Sequence, residues 1–228
     1  MQTFKNYQNI KKTVQKTAEN CGRESADIKI ISVSKTFSSV TIQEAINSGI
    51  QIFGENKIQE ARKKSEELTG DFSLHMIGPV QSNKAKDSVL LFDLIHSISK
   101  IKTAKKIHLE AKKINKTQDI LIQVNTSKEE SKSGVFPEDL FLLYDAIQPL
   151  ENINILGLMT MAPYTENKSV IRKTFRDTKN LLTSLNDRYS IELKELSMGM
   201  SNDFTVAIEE GSTMVRIGSL IFGQRSYT

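Results

Sequence analysis

Cysteine is nearly absent from this chain, with Cys21 as the single example among 228 residues. An intramolecular disulfide is therefore impossible, and a reducing compartment is the natural environment. Long apolar runs are also missing, so the sequence contains no candidate for a helix that crosses a bilayer. Residues 1–20 lack the apolar core of a signal peptide, and they contain a glutamate and no arginine, unlike a transit peptide. We therefore expect a cytoplasmic protein.

Charge of one sign is not concentrated in any part of the sequence. The formal net charge is +4, from 31 basic and 27 acidic residues, and lysines alternate with acids. A nucleic-acid-binding protein typically has a more compact basic patch. The densest lysine cluster, residues 101–116, has apolar residues at helical spacing, which predicts a solvated helix face. We expect neither nucleic acid nor a membrane as a partner, and contact of this helix with RNA or a membrane stays open as the weaker alternative.

The sequence does contain a regular alternation of short β-branched runs and helix-like stretches. An amphipathic helix is predicted first, because apolar side chains recur on one stripe at Phe4, Tyr7, Ile10, Val14 and Ala18. Eight strands separated by helices are predicted next, at residues 28–34, 50–54, 72–78, 93–99, 119–125, 153–159, 193–199 and 214–219. Such alternation is typical of parallel β-α-β units.

Eight such units predict the α/β class and a single (β/α)8 TIM barrel with an extra N-terminal helix. Residues 1–228 are treated as one domain, because no linker rich in proline, glycine or serine interrupts them. A doubly wound open sheet is the structural alternative. Its dinucleotide-binding version needs a glycine-rich turn after the first strand, whereas the turn here is "SKTFSS".

Polar residues and glycines collect at the predicted carboxyl ends of the strands, where such barrels place their active sites. Lys35 follows the first strand, and alternation puts it on the same face as Ile31 and Val33. An amine held above a packed interior is partly desolvated, which favours the neutral form that condenses with an aldehyde. The alternative is a structural or rim lysine whose ammonium reaches solvent.

The loops after the last two strands are the usual phosphate site of these barrels. Ser201 is predicted as the N-cap of a helix that starts near Asn202, and Gly218 permits close approach of a ligand to the backbone. Ser201 as a simple cap is the alternative. Arg216 lies on the same strand face as Gly218, and it either donates to a ligand or forms an ion pair with Glu195.

The remaining candidates are less specific. His75 is more often a satisfied interior residue than a catalyst, Asn56 either binds a ligand or ties down its loop, and Met159 shapes a pocket. The three histidines, His75, His96 and His108, have no metal-ligand spacing, so no metal site is predicted.

These residues lie in segments that resemble the pyridoxal phosphate homeostasis protein family, single-domain relatives of the barrel domain of bacterial alanine racemase. The similar segments are "VSKTFS", "FGENKIQE", "HMIGPVQSNK", "VNTSKEESKSGV", "GLMTMAP", "SMGMSNDFTVAI" and "GSTMVRIGSLIFG". They run in order over nearly the whole chain. Small departures occur at Phe37, Lys57 and Val80, none of which is a candidate site residue.

The resemblance implies a fold-type III protein in which Lys35 holds pyridoxal 5′-phosphate (PLP) as an internal aldimine. Ser201 and Gly218 would bind the phosphate, and Arg216 would lie near the cofactor ring or phosphate. The other residues implied to line the pocket are Asn56, His75, Met159 and Ser197.

Two functions are consistent with this resemblance. The first is a carrier or regulator in intracellular vitamin B6 homeostasis and amino and keto acid balance, a monomer with apo-enzymes that need PLP as candidate recipients. The second is an amino-acid racemase, which needs an acid-base group on each face of the substrate. The racemases take a tyrosine from a further β-domain, for which we expect no room after Gly223. Tyr164 and Tyr227 are conceivable substitutes but are expected on the surface or rim, so the carrier is favoured.

Overall fold

The structure is a computed structural model that describes residues 2–129 and 132–223. Its strands are β1 Lys29–Val33, β2 Ile52–Glu55, β3 Ser73–Met76, β4 Leu94–Ile98, β5 Gln118–Gln123, β6 Ile153–Met159, β7 Glu195–Met200 and β8 Met214–Ile217. Its α-helices are α1 Gln2–Asn20, α2 Ser39–Asn47, α3 Ile58–Ser65, α4 Ala85–Leu91, α5 Ile101–Lys113, α6 Leu140–Ile147, α7 Lys168–Tyr189, α8 Phe204–Glu209 and α9 Ser219–Phe222. Short 3₁₀ turns lie at Ser25–Asp27, Ser82–Lys84 and Pro137–Asp139.

The strands form a closed barrel in sequence order from β1 to β8. Every neighbouring pair is parallel, and β8 pairs with β1 to close the ring, with Ile31 opposite Arg216. The predicted α/β barrel is therefore confirmed. Each predicted apolar run overlaps one strand, and most strands are shorter than predicted, although β2, β5 and β7 each extend one residue beyond the predicted run.

Side chains on one face of each strand fill the barrel interior, and side chains on the other face pack against the helices. Ile31 belongs to a buried interior cluster with Leu94, Leu121, Met159 and Met214. Its neighbours in β1 point outward, as alternation requires. The outer layer, where the strands pack against α2 to α8, holds the larger apolar core.

The predicted opening helix is α1, which covers the barrel beside β1 and β8. Its residues Ile10, Val14 and Ala18 are buried in a cluster that includes Ile208 of α8 and Ile221 of α9. Phe4, at the start of the predicted stripe, is exposed. The N-terminal helix therefore packs against the last two helices of the described chain, α8 and α9.

Within residues 2–129 and 132–223, no helix combines the length and apolar character that crossing a bilayer requires.

At Gly157 the backbones of β6 and β7 lie close together. A Cβ atom at this position would lie 1.9 Å from the carbonyl oxygen of Glu195. No rotamer change relieves a contact with backbone, so we expect Gly157→Ala to lower the free energy of unfolding by about 3 kcal/mol, measured by urea unfolding. Gly49→Ala is the control: Gly49 has φ +89° but nothing within 4 Å of its Cβ, so a loss of about 1–2 kcal/mol is expected. Equal losses would contradict the contact argument.

Candidate functional site

A cavity of about 990 Å³ opens at the carboxyl ends of the strands. It is lined by Lys35, Asn56, Ser201, Arg216 and Gly218 from the predicted set. The structure therefore brings together residues that are up to 183 positions apart in the sequence, counted from Lys35 to Gly218.

Lys35 enters the cavity from the turn that follows β1. Ile31 lies in the barrel interior, while Val33 and Lys35 line the cavity directly above it. This is the alternation that the sequence predicts. The lysine is half-buried, so its side chain is partly withdrawn from water.

Asn56 forms the neighbouring wall, after the end of β2. A Cβ added to Gly78, which follows β3, would come within 2.2 Å of the backbone oxygen of Asn56. Only a glycine at position 78 allows the two loops to meet, and both residues line the cavity.

Ser201 lies in the turn between β7 and α8, but it is not a helix cap. Helix α8 begins at Phe204 with Asp203 in the cap position, so the predicted N-cap role of Ser201 is wrong. The oxygen Oδ1 of Asp203 accepts a hydrogen bond of 2.5 Å from the backbone N–H of Met200. The helix therefore begins two residues later than predicted, and Ser201 lies on the cavity wall.

Asp203 is itself buried and lines the same cavity. Burial raises the pKa of its carboxyl group, and the hydrogen bond from Met200 and the positive charge of Arg216 partly offset this increase. The cavity therefore contains one acidic group near its arginine.

Arg216 is almost fully buried, with 4% of its surface exposed. Its Nη1 donates to Ser197 Oγ at 2.6 Å, and its Nη2 donates to the carbonyl oxygen of Thr160 at 2.9 Å. Burial lowers the pKa of the guanidinium to about 10, against the opposing charge of Asp203. The group therefore stays positively charged at neutral pH.

The alternative role for Arg216, an ion pair with Glu195, is wrong. Glu195 instead pairs with Lys29 and accepts a hydrogen bond from the hydroxyl of Thr213. These contacts lie at the amino-terminal end of β8, whereas Arg216 extends toward the cavity.

Three predicted pocket residues are placed below the cavity. Ser197, His75 and Met159 are buried in the barrel interior and are not part of the cavity wall. Met159 packs with the interior cluster. Ser197 reaches the cavity only through its hydrogen bond with Arg216. All three are buried, so closure of the barrel covers them with the residues above.

Beneath Arg216 lies a buried hydrogen-bond chain through Ser197, His96 and His75. Arginine has no acceptor, so Arg216 donates to Ser197 Oγ. Ser197 Oγ is also hydrogen-bonded to His96 Nδ1 at 2.8 Å, and His96 Nε2 is hydrogen-bonded to His75 Nδ1 at 3.0 Å. The tautomers of the two imidazoles set which atom donates in each of these bonds.

His96 was missed as a site residue by the sequence analysis. A signal was present, because His96 lies two residues after Leu94 and therefore on the interior face of β4. Its contact with Ser197 crosses the barrel from β4 to β7, and strand alternation does not reveal such a pairing.

Lys64 of α3 was also missed. Its Nζ donates to Glu55 Oε1 at 2.7 Å, Glu60 Oε1 at 2.8 Å and the carbonyl oxygen of Ser34 at 2.8 Å. Burial raises the pKa of Glu55, and the hydrogen bonds from Lys64 and Ser34 oppose that increase. The signal in the sequence was a lysine on the buried stripe of α3, three residues after the buried Ala61.

Among the residues that the structure describes, no group of three or more His, Cys, Asp or Glu side chains is arranged to hold a metal ion.

The two buried histidines predict acid sensitivity. Burial lowers the pKa of His75 from 6.5 to about 4, more than the charges of Asp93, Lys29 and Glu195 alter it. Burial also lowers the pKa of His96, with His75 and Arg216 adding to the effect.

Because unfolded histidine binds a proton near pH 6.5, the contribution of His75 to stability is complete above that pH and is lost as the pH falls through about 4. We expect this loss to be about 3 kcal/mol for His75. Urea unfolding at pH 7.5, 6, 5 and 4 tests it, and His75→Gln should weaken the pH dependence. An identical fall in the variant would contradict the assignment.

Comparison with known proteins gives consistent matches over this fold. The family model for the alanine racemase N-terminal domain matches residues 6–226. A pyridoxal phosphate homeostasis protein of Aquifex aeolicus is 45% identical over 215 residues, which cover 94% of this chain and 94% of that protein. The Escherichia coli protein of the same name is 36% identical over 229 residues, covering 98% and 97% of the two chains.

Solved structures give the same result. PipY of Synechococcus elongatus, in a structure with PLP bound, has a TM-score of 0.81 and 33% identity, covering 86% of this chain and 93% of that chain. An alanine racemase of Clostridium difficile has a TM-score of 0.75 at 16% identity and covers 94% of this chain and 56% of that chain, which is a likeness of fold. The chain therefore belongs to the alanine racemase N-terminal domain family and, within it, to the pyridoxal phosphate homeostasis proteins.

Proposed function

We propose that this protein binds pyridoxal 5′-phosphate reversibly through Lys35 and acts as a carrier or regulator in vitamin B6 homeostasis and amino and keto acid balance. The observation that carries the proposal is one cavity lined by the Lys35 amine and the buried Arg216 guanidinium. The names of the relatives and the PLP-bound structure of PipY support it.

The residues present fit this ligand by their chemistry. Lys35 provides an amine that captures an aldehyde, with loss of water, as a Schiff base. Ser201 provides a hydroxyl donor, and Gly218 precedes α9, whose first turn has backbone N–H groups without helical acceptors. Arg216 provides the positive charge that an anionic ligand needs. These groups line the same cavity, so one ligand can meet all of them.

Arg216 also limits the chemistry that the site supports. Bound PLP supplies a reactive aldehyde and an electron-withdrawing ring, and an arginine beside the ring nitrogen keeps that nitrogen unprotonated, which weakens the withdrawal. The hydrogen bonds of Arg216 to Ser197 and Thr160 hold the guanidinium in one orientation. We propose that Arg216 would hold bound PLP near its ring or its phosphate.

A racemase is the second candidate, and it needs a base opposite Lys35. Tyr164 lines the rim of the cavity but is 99% exposed, so no protein contact holds its hydroxyl at a fixed position. Tyr227 lies outside the described residues. The curated relatives above are named for homeostasis rather than for an enzymatic reaction. We therefore favour a carrier, with apo-enzymes that need PLP as proposed recipients.

We expect Lys35→Ala to abolish the covalent adduct, because position 35 would then carry no amine. The measurement is the near-ultraviolet and visible spectrum with PLP, followed by borohydride reduction and peptide mass analysis. Lys168→Ala is the matched control, since Lys168 is a second lysine of the same cavity. Ser201→Ala should raise the PLP dissociation constant about tenfold, the effect of losing one hydrogen bond to a charged group. An adduct that persists in Lys35→Ala would refute the role of Lys35.

We expect no exchange of the α-hydrogen of amino acids by the PLP-loaded protein, because Tyr164, the candidate second base within the described residues, is 99% exposed rather than held opposite Lys35. The measurement is deuterium incorporation in heavy water across a panel of L- and D-amino acids. PLP with the Lys35→Ala variant gives the background rate. Exchange well above this background in the wild type would favour the racemase over the carrier.

A further inference from the structure

The backbone on either side of Lys35 has an unusual conformation. Ser34 is buried, with 1% of its surface exposed, and Thr36 has φ +71°. A left-handed φ is rare for a β-branched residue and persists only where the surrounding structure holds it. The turn that carries Lys35 is therefore held in place by other groups.

Two carboxylates and one ammonium hold this turn. Ser34 Oγ donates to Glu55 Oε1 at 2.6 Å, and the carbonyl oxygen of Ser34 accepts from Lys64 Nζ at 2.8 Å. On the other side of Lys35, the backbone N–H of Thr36 donates to Glu60 Oε1. Each flanking residue is thus bound to a charged side chain.

Lys64 joins these contacts into one unit, which we call the Lys64 cluster: Lys64, Glu55, Glu60, Ser34 and Thr36. Its ammonium donates to both carboxylates and to Ser34, so all three of its hydrogens are used. Lys64 is 8% exposed and Glu55 is 1% exposed, so water screens their interaction little. Helix α3 and the end of β2 are thereby fastened to the turn.

We propose that Lys64 is a positioning residue for Lys35: it holds the turn after β1 so that the Lys35 amine meets the aldehyde of a ligand anchored across the cavity. The inference rests on the proposed function and extends it to a residue outside the cavity wall. Condensation needs the amine and the carbonyl carbon in near-attack geometry, and a displacement of about 1 Å costs about a hundredfold in rate. The Lys64 cluster limits that displacement.

A purely structural role would use the same contacts. The cluster would then stabilise α3 against the barrel, and the conformation of residues 34–36 would not depend on it. The two roles differ in the rate of adduct formation, in the circular dichroism of the bound ligand and in the local amide exchange of the turn.

Lys64→Met removes the ammonium and keeps most of the side-chain length. Because it leaves the buried Glu55 carboxylate without its cation, the double variant Glu55→Gln/Lys64→Met is made alongside it. The control is Lys116→Met. Lys116 Nζ donates to the carbonyl oxygens of Val89 and Phe92 at 2.7 and 2.8 Å, and so ties a turn at the opposite end of the barrel.

We expect Lys64→Met and the double variant to form the Lys35 adduct with PLP about 10 to 100 times more slowly than the wild type. Circular dichroism of the bound ligand should weaken or change sign. Hydrogen–deuterium exchange of residues 33–37 in the ligand-free protein should accelerate. Lys116→Met should leave all three readouts at wild-type values, even if its melting temperature falls.

The proposal is overturned if the folded double variant keeps the wild-type rate and dichroism, whether or not amide exchange accelerates. It is also overturned if exchange at residues 33–37 is unchanged in both variants. Failure of the proposed function has its own signature: the wild-type protein would then give no borohydride-trapped adduct at Lys35, and the proposal for Lys64 would fail with it.

Discussion

The parallel pairing of β8 with β1 places residues 214–217 beside residues 29–32. It therefore brings together the first and last strands of the barrel. Arg216 thereby lies opposite Ile31, and a Cβ on Gly218 would lie 3.4 Å from Val33, two residues before Lys35. In a parallel barrel all carboxyl ends lie on the same side, so the amine, the guanidinium and the glycine face one cavity. Helix α1 strengthens this closure because it packs against α8 and α9 beside the same seam.

Closure also has an energetic consequence for the polar groups that it buries. A guanidinium in the centre of a protein is costly unless its donors are satisfied. Ser197 and Thr160 accept from Arg216, and His96 and His75 continue the chain as neutral imidazoles whose pKa values are lowered by burial. In this hydrogen-bond chain the positive charge is therefore carried by the guanidinium of Arg216. The Lys64 cluster follows the same rule at the edge of the barrel, where two carboxylates share a buried ammonium.

Placement of the candidate residues shows where sequence patterns stop being informative. Strand alternation put Lys35 above Ile31 and Val33, and the structure has this arrangement. The resemblance implied that His75 and Met159 line the pocket, although the residue pattern by itself favoured His75 as an interior residue. They are instead covered within the barrel, since depth along the axis depends on the stagger between strands and not on one strand alone. Ser201 was expected as a cap, but α8 begins two residues later than predicted, with Asp203 in the cap position and its carboxyl group bound to the backbone N–H of Met200.

The sequence by itself determined the order of strands and helices, the α/β class and the strand-end positions of Lys35, Arg216 and Gly218, whereas pairing of β8 with β1 closed the barrel. Local periodicity carries that information, because each strand and helix records which of its faces is buried. Only the tertiary structure decided which side chains meet across the barrel, such as His96 with Ser197 or Lys64 with Ser34. These contacts depend on the register between strands and on the distance between separate elements. The spacing of residues within one element determines neither quantity.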